Sequence, residues 1–334
     1  MKILVTGGLG FMGSAFIRLM LKKHRNWEII NLDKVTYAAN FDNLRSESKN
    51  PRYRFVKGDI ADSGAVNRVM PGCDAIINYA AETHVDRSII DPDAFIRTDV
   101  YGTFTLLEAA RKYKIKKFVQ ISTDEVYGDI LKGRFKETDM LKPSSPYSAS
   151  KAGGDMLVLG YSRTYKVPGV VTRSSNNYGP YQYPEKIIPL FITNLLEDKK
   201  VPVYGRGNQV RDWLFVEDHA QAIEAVLRRG EPGQIYNIGS DSRRDITNLE
   251  LTQTILKLVG RDERMIEHVP DRPGHDLRYA INCDKLKKLG WRPAVRFTRG
   301  IKLTVDWYRS HEDWWRKIKT GEYLKYYRKQ YGAK

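Results

Sequence analysis

Two short runs in this chain hold side chains that could do chemistry together. Ser122–Gly128 reads STDEVYG and Tyr147–Lys151 reads YSASK, both downstream of a glycine-rich TGGLGFMGS at Thr6–Ser14. A tyrosine and a lysine four apart on a helix point from one face. A cation beside the phenol, with a positively charged nicotinamide near it, favours phenolate, so Tyr147 is expected to take a hydroxyl proton as the carbinol hydride leaves, with Lys151 as the cation. Thr123, Asp124 and Glu125 add a hydroxyl and two adjacent carboxyls. Adjacent carboxyls can divide into acid and base when burial and like charge keep one protonated. Such a set can remove a hydride, abstract a proton and protonate a leaving hydroxyl, which is narrower than dehydrogenation. A Tyr-x-x-x-Lys pair alone is a weak signal, because two surface residues can fall at that spacing; its weight comes from the company it keeps.

That company begins with the glycine run. A strand over Lys2–Val5 leads into Gly7, Gly8, Gly10 and Gly13, and a helix pattern follows. Glycines permit a tight turn and close backbone approach to a pyrophosphate, while the helix N-terminus offers free N–H groups and a favourable dipole. Asp33 stands at the end of the second strand, where a carboxylate accepts from ribose hydroxyls and repels a 2′-phosphate, favouring NAD over NADP. Lys34 beside it softens that repulsion. Asp59 and Ile60, after another strand, are expected to flank the adenine.

The elements that must position these groups follow from periodicity. Ile3-Leu4-Val5, Glu28-Ile29-Ile30, Ala75-Ile76-Ile77 and Phe118–Ile121 read as buried strands, and Phe11–Lys23 and Ala94–Tyr113 as helices between them. Apolar strands alternating with amphipathic helices predict an α/β fold, a Rossmann-type doubly wound parallel sheet covered on both faces. Beyond Thr172 the regularity breaks: Pro180, Pro184 and Pro189 fall close together, and the strands Trp213–Val216 and Ile235–Ile238 are separated by loops. The expected division is a cofactor domain over 1–172 and a smaller mixed α/β substrate lobe over 173–334, with segments around 210–230 returning to the first domain. The substrate is expected between the two.

Composition bounds the remaining classes. At 334 residues, 41% apolar and 29% charged, the chain has the make-up of a globular protein with a sizeable core. The two cysteines, Cys73 and Cys283, lack metal-ligand spacing, predicting a reducing compartment, no disulfide framework and no metal. The first residues run into a strand with no signal-peptide pattern, and no apolar run is long enough to cross a bilayer, so a cytoplasmic protein is expected. The net charge of +16 admits a nucleic-acid binder, and the segment from Lys302 mixes Tyr and Trp with basic residues that could stack bases. The spacing of Trp307, Trp314 and Tyr323 equally suits helices packing an aromatic face onto the body. No recognised nucleic-acid module accompanies the charge.

Glycine loop, Ser/Thr after the fourth strand and YxxxK together resemble the extended short-chain dehydrogenase/reductase family, whose members act on nucleotide sugars. Longer segments carry the resemblance to its 4,6-dehydratase branch: LDKVTYAANFDNL, AAETHVDRSI, STDEVYGD, YSASKAG, TRSSNNYGPYQYPEKIIPL, VYGRGNQVRDWLFVEDH, YNIGS and DRPGHDLRYAIN. Ser174 and Ala39 depart from the Cys and Gly usual there; neither removes a group the chemistry needs. The resemblance implies oxidation at C4 of a hexose, loss of water across C5 and C6, and reduction at C6 with bound NAD, on dTDP-glucose, in deoxysugar synthesis such as that of rhamnose. It implies Thr123 at the C4 hydroxyl, Asp124 as acid at C6 and Glu125 as base at C5. It implies cofactor contacts from Gly7, Gly10, Phe11, Met12, Gly13, Asp33, Lys34, Thr36, Asp59, Ile60, Ala80, Ala81, Thr98, Tyr147, Lys151 and Asn177. Substrate contacts are implied for His84, Thr123, Asn176, Lys186, Tyr204, Asn237 and His275, with Arg211 and Arg272 on the pyrophosphate. A homodimer built on the helices following Asp91 and Tyr147 is implied as well. An epimerase, or a dehydratase for another nucleotide, shares this frame; the Asp-Glu pair argues against the former.

Overall fold

In the computed structural model, which describes residues 1–242, 245–271 and 274–331, the apolar runs become strands β1 (Lys2–Thr6), β2 (Glu28–Asp33), β3 (Tyr53–Lys57), β4 (Ala75–Asn78), β5 (Lys117–Thr123), β6 (Gly169–Ser174) and β7 (Ile235–Ile238). They form one sheet in the order β3-β2-β1-β4-β5-β6-β7, every neighbouring pair parallel. Alternation along β1 explains why both faces are covered. Ile3 and Val5 pack on one side with Phe16, Ile17 and Met20 of helix Phe11–Lys23 and with Ala220, Ile223 and Val226 of helix Val216–Arg229. Leu4 packs on the other with Val66, Leu106, Leu107 and Val158. This is the doubly wound α/β sheet that the alternating pattern predicts.

The chain returns to the sheet late. β6 runs to Ser174, past the boundary expected at Thr172, and β7 pairs with it from Ile235↔Val171 to Ile238↔Ser174. Part of the intervening and following chain forms a second cluster of buried residues, while helix Val216–Arg229 and Leu286 and Trp291 stay with the sheet. That second cluster gathers Leu190, Phe191, Leu251, Ile255, Ile301, Val305, Tyr308 and Trp315 from helices Ile187–Leu196, Asn248–Val259 and Phe297–Ser310 and the segment after them. Small two-stranded pairings edge it, Asn176–Tyr178 with Trp213–Phe215 and Val201–Tyr204 with Ile266–Val269.

Three sequence expectations change in detail. The strand expected over Trp213–Val216 stops at Phe215, because Val216 opens a helix. The stretch over Ala94–Tyr113 is helical but not uniform: Asp93–Phe95 is α, Ile96–Gly102 is π and Thr103–Lys112 is α. Of the two uses open to the rings of the basic C-terminal segment, packing takes Tyr308, Trp314, Trp315 and Tyr323, which are buried. Trp314 reaches across the molecule: its indole Nε1 donates to Asn43 Oδ1 at 3.1 Å, and Asn43 Nδ2 donates to the Leu9 carbonyl at 2.8 Å.

Helix Pro146–Tyr165 needs a firm start because it carries the Tyr/Lys pair. Ser145 and Ser148 form a reciprocal capping box around Pro146 at the first helical position. Further along, Asp155 Oδ2 accepts from Arg173 Nε of β6 at 2.9 Å, with both side chains fully buried. Removing one partner leaves an uncompensated buried charge. Asp155→Ala is therefore expected to lower stability by about 3–5 kcal/mol, read as a fall in the urea midpoint, with Asp155→Asn losing less.

Candidate active site

The carboxyl ends of β1, β4 and β5 open onto one elongated cavity. It is lined at one end by Gly7, Gly10, Phe11, Met12 and Gly13, then by Asp33, Lys34, Thr36, Asp59, Ile60, Ala80, Ala81 and Thr98, and at the other by Thr123, Glu125, Tyr147, Lys151 and Asn177. Every residue expected to hold a cofactor lies on its wall. The glycine positions are sterically enforced. A methyl on Gly7, at φ +65, would stand 2.7 Å from the Ala80 N and Cα; one on Gly13 would stand 2.6 Å from the Gly7 carbonyl. Asp33 has a second task beyond the one expected, since its Oδ2 accepts from Leu9 N at 2.9 Å and its Oδ1 from Val35 N at 2.8 Å. The carboxylate thus ties the glycine loop to the end of β2. Lys34 Nζ lies 2.8 Å from Asp59 Oδ2, so its charge is matched within the protein. Buried Ser122 Oγ and Asn177 Oδ1, both on side chains at this cavity, have no hydrogen-bond partner within the protein. A glycine cradle, a carboxylate at the second strand and orphaned polar atoms at the far end fit a dinucleotide.

A second cavity adjoins the first. His84, Tyr204, Arg211 and His275 line it, as do Trp213, Asn248 and Tyr279. Glu125, Asn176, Glu185 and Lys186 line both cavities, so Glu125 sits at their junction. Arg211 is buried, lies 4.2 Å over the Tyr279 ring and donates to the carbonyls of Val210 and Asp276 at 2.8 and 2.9 Å. Lys186 Nζ donates to the Thr83 carbonyl at 2.6 Å, and His275 Nδ1 lies 2.6 Å from Asp271 Oδ1. Cations and a histidine around one recess suit a phosphorylated ligand.

The adjacent carboxyls differ sharply. Thr123 caps a 3-10 turn over Asp124–Tyr127, its Oγ1 accepting from Glu125 N at 3.2 Å. That turn sends Asp124 inward, 1% exposed with Oδ2 unpartnered, and leaves Glu125 on the cavity walls. Burial, with the charges of Glu125 and Asp212, pushes the Asp124 carboxyl well above the usual carboxylate range, which favours its protonated form. The chain's own surroundings push the Tyr147 phenol up: burial first, then the carboxylates of Glu125 and Asp99, against a hydrogen bond from Thr123. The expected acidification counts on a nicotinamide charge beside Lys151 to oppose them.

One sequence expectation falls away from the site. Asn237 lines neither cavity: it is buried in β7, its side chain bonded to Tyr127 Oη at 2.9 Å and the Phe135 carbonyl at 3.2 Å, so its polar atoms are consumed by the fold. Arg272 lies outside the described residues.

Comparison with known proteins sharpens this reading. The family model for GDP-mannose 4,6 dehydratase matches residues 4–304. The chain belongs to this family. It is 49% identical to the dTDP-glucose 4,6-dehydratase of Streptomyces niveus, with 96% of each chain covered. It is 46% identical to that of Escherichia coli, covering 97% of this chain and 98% of the relative. The crystal structure of DesIV, a dTDP-glucose 4,6-dehydratase from Streptomyces venezuelae with NAD and TYD bound, superposes with a TM-score of 0.93 at 47% identity, covering 96% of this chain and all of that one.

Some cavity residues of this GDP-mannose 4,6 dehydratase family member escape sequence reasoning. Glu185 lies within a resembling segment, yet nothing in its spacing assigns it chemistry. Its Oε1 accepts from Tyr37 Oη at 3.0 Å and its Oε2 lies 3.1 Å from Arg87 Nη2, clamping the shared wall. Tyr279 floors Arg211, and Glu82, on the first cavity, is pushed up to about 7 by burial and by Asp99. Only the folded chain brings these together. For the cradle, Gly13→Val is expected to weaken dinucleotide binding about a hundredfold, the equivalent of two charge-assisted backbone contacts, measured by fluorescence titration of NADH into protein stripped of nucleotide.

Proposed function

We propose that the protein is a dTDP-glucose 4,6-dehydratase with tightly held NAD, making the 4-keto-6-deoxy sugar for deoxysugar synthesis. The observation that carries this reading is the split pair at the cavity junction: Asp124 buried, with its carboxyl pushed up, and Glu125 open to both cavities. Hydride transfer alone needs neither group, whereas elimination of water needs both an acid and a base.

In this reading NAD, held by the glycine cradle, Asp33 and Lys151, supplies the hydride acceptor at the start and the hydride donor at the end. Tyr147 accepts the C4 hydroxyl proton, with Thr123 bonded to the same oxygen and Lys151 favouring phenolate. The ketone at C4 acidifies the C5 proton, and Glu125 removes it. Asp124 gives its proton to the C6 hydroxyl, which departs as water; Glu125 later returns a proton to C5. Arg211 and His275 take the pyrophosphate end, with Arg272 from the neighbouring DRPGH run, and His84, Asn176, Lys186 and Tyr204 hold the rest of the nucleotide sugar. The rim of the second cavity divides the labour between the sheet domain and the later lobe. The buried rings of the C-terminal segment argue against a base-stacking surface.

The reading extends to a homodimer in the cytoplasm. Ile90, Ile96, Tyr101 and Phe104 are exposed on the helical run after Val85, and Met156 on helix Pro146–Tyr165, which packs against that run. Apolar groups gathered on adjoining helices want a cover, and a second copy supplies one. Among the described residues no helix is long and apolar enough to cross a membrane.

Incubated with dTDP-glucose, the purified protein is expected to release a product lighter by one water without added NAD. An unchanged mass with a new isomer would mean epimerase chemistry; turnover of GDP-mannose in preference would move the reading to another nucleotide. Asp124→Asn and Glu125→Gln are expected to keep single-turnover NADH formation within about tenfold while slowing elimination about 100-fold or more. Ile96→Glu with Tyr101→Glu is expected to halve the mass seen by light scattering.

A further inference from the structure

Arg211 is a buried cation that the protein does not neutralise. Among the described residues no carboxylate pairs with its guanidinium, whose bonds go to carbonyls instead. Nη1 donates to Val210 at 2.8 Å and to Leu277 at 3.4 Å, and Nη2 donates to Asp276 at 2.9 Å. Carbonyls offer only partial charge, so a cation held this way out of water is left for an anion to match. One flat contact completes its surroundings: Cζ stands 4.2 Å over the Tyr279 ring. Tyr279 is buried as well, lines the second cavity beside Arg211, and is fixed at both ends. At the backbone, Tyr279 N donates to the Val210 carbonyl at 3.3 Å and Val210 N to the Leu277 carbonyl at 2.7 Å, which lays residues 277–279 along the short strand Val210–Arg211. At the tip, Tyr279 Oη donates to Asp276 Oδ2 at 2.6 Å, an oxygen that also accepts from Ser144 Oγ. The ring under the guanidinium therefore has no freedom to slide.

We propose that Tyr279 is a positioning residue for the substrate, the platform that aims Arg211 at the diphosphate of the nucleotide sugar. The proposal rests on the dehydratase reading and deepens its account of how the pyrophosphate is gripped. A guanidinium is planar and presents its N–H groups as a rigid fork. Carbonyls hold one edge of this fork and the Tyr279 ring holds one face, so its remaining N–H groups point in one direction before the anion arrives. A long side chain ordered in advance does not have to be ordered again at the binding step. The ring also faces the cation with its negative π surface, which steadies the charge while the cavity holds no phosphate.

A double-mutant cycle on dTDP affinity, read by calorimetry on the NAD-loaded protein, tests this. Tyr279→Leu is expected to weaken dTDP about tenfold in the parent but less than about twofold when Arg211→Lys is already present. Thymidine, which has no phosphate, is expected to bind Tyr279→Leu as it binds the parent. Tyr279→Phe keeps the ring and frees it from Asp276; it is expected to weaken dTDP about threefold, and it decides the matter should Tyr279→Leu fail to fold. With dTDP-glucose, KM is expected to rise alongside the dTDP Kd while kcat stays within about twofold, the pattern of lost uniform binding. Equal losses for dTDP and thymidine, or equal losses with and without Arg211, would make Tyr279 a packing residue and overturn the proposal. A parent that binds dTDP but releases no water from dTDP-glucose would instead sink the dehydratase reading, and the cycle would still judge Tyr279.

Discussion

The contact between Gly7 and Ala80 governs this molecule. β1 and β4 lie side by side, and the chain leaves their carboxyl ends toward opposite faces of the sheet, opening a crevice between them. The glycine loop seals the floor of that crevice by lying so close to the segment after β4 that not even a methyl fits. Gly7 N also donates to the Leu32 carbonyl at 3.0 Å, binding the loop to β2. The amides of Gly7, Gly8, Leu9 and Gly10 are all bonded within the protein, which fixes the loop as a floor against which the side chains farther along take their places.

From that floor the site is graded in electrostatic character. The glycine end offers backbone dipoles and the Asp33 carboxylate; the middle concentrates carboxyls in half-buried Glu82 and buried Asp99 and Asp124; the far recess mixes Arg211 and Lys186 with Asp86, Glu125 and Glu185. The acidic middle is notable in a chain of net charge +16. Glu82 feels the charge of Asp99, and Asp124 those of Glu125 and Asp212, so neighbouring carboxylates add to burial in pushing these two groups up.

Local pattern was enough to read the sheet, the glycine cradle and the Tyr/Lys helix, because each depends on residues near in sequence. The apolar runs, the glycine spacing and the four-residue interval from Tyr147 to Lys151 are all visible in the string. The pieces that escaped are those fixed by distant partners. The π run needs the close approach of Gly153 and Gly154, some fifty residues away. Asn237 looked like a ligand contact from its motif, yet Tyr127 and Phe135 use up its amide. Glu185, Arg87 and Tyr37 form a clamp drawn from three separate loops or element ends. The carboxylates that oppose the expected acidification of Tyr147 come from other segments.

The bond from Trp314 to Asn43, and from Asn43 to the Leu9 carbonyl, joins the last tenth of the chain to its first ten residues. On a ribosome, the loop at Leu9 must wait until Trp314 has been added before its outer strut is in place. A protease that clips the chain ahead of Trp314 would accordingly be felt far away in sequence, as slackened hold on the nucleotide.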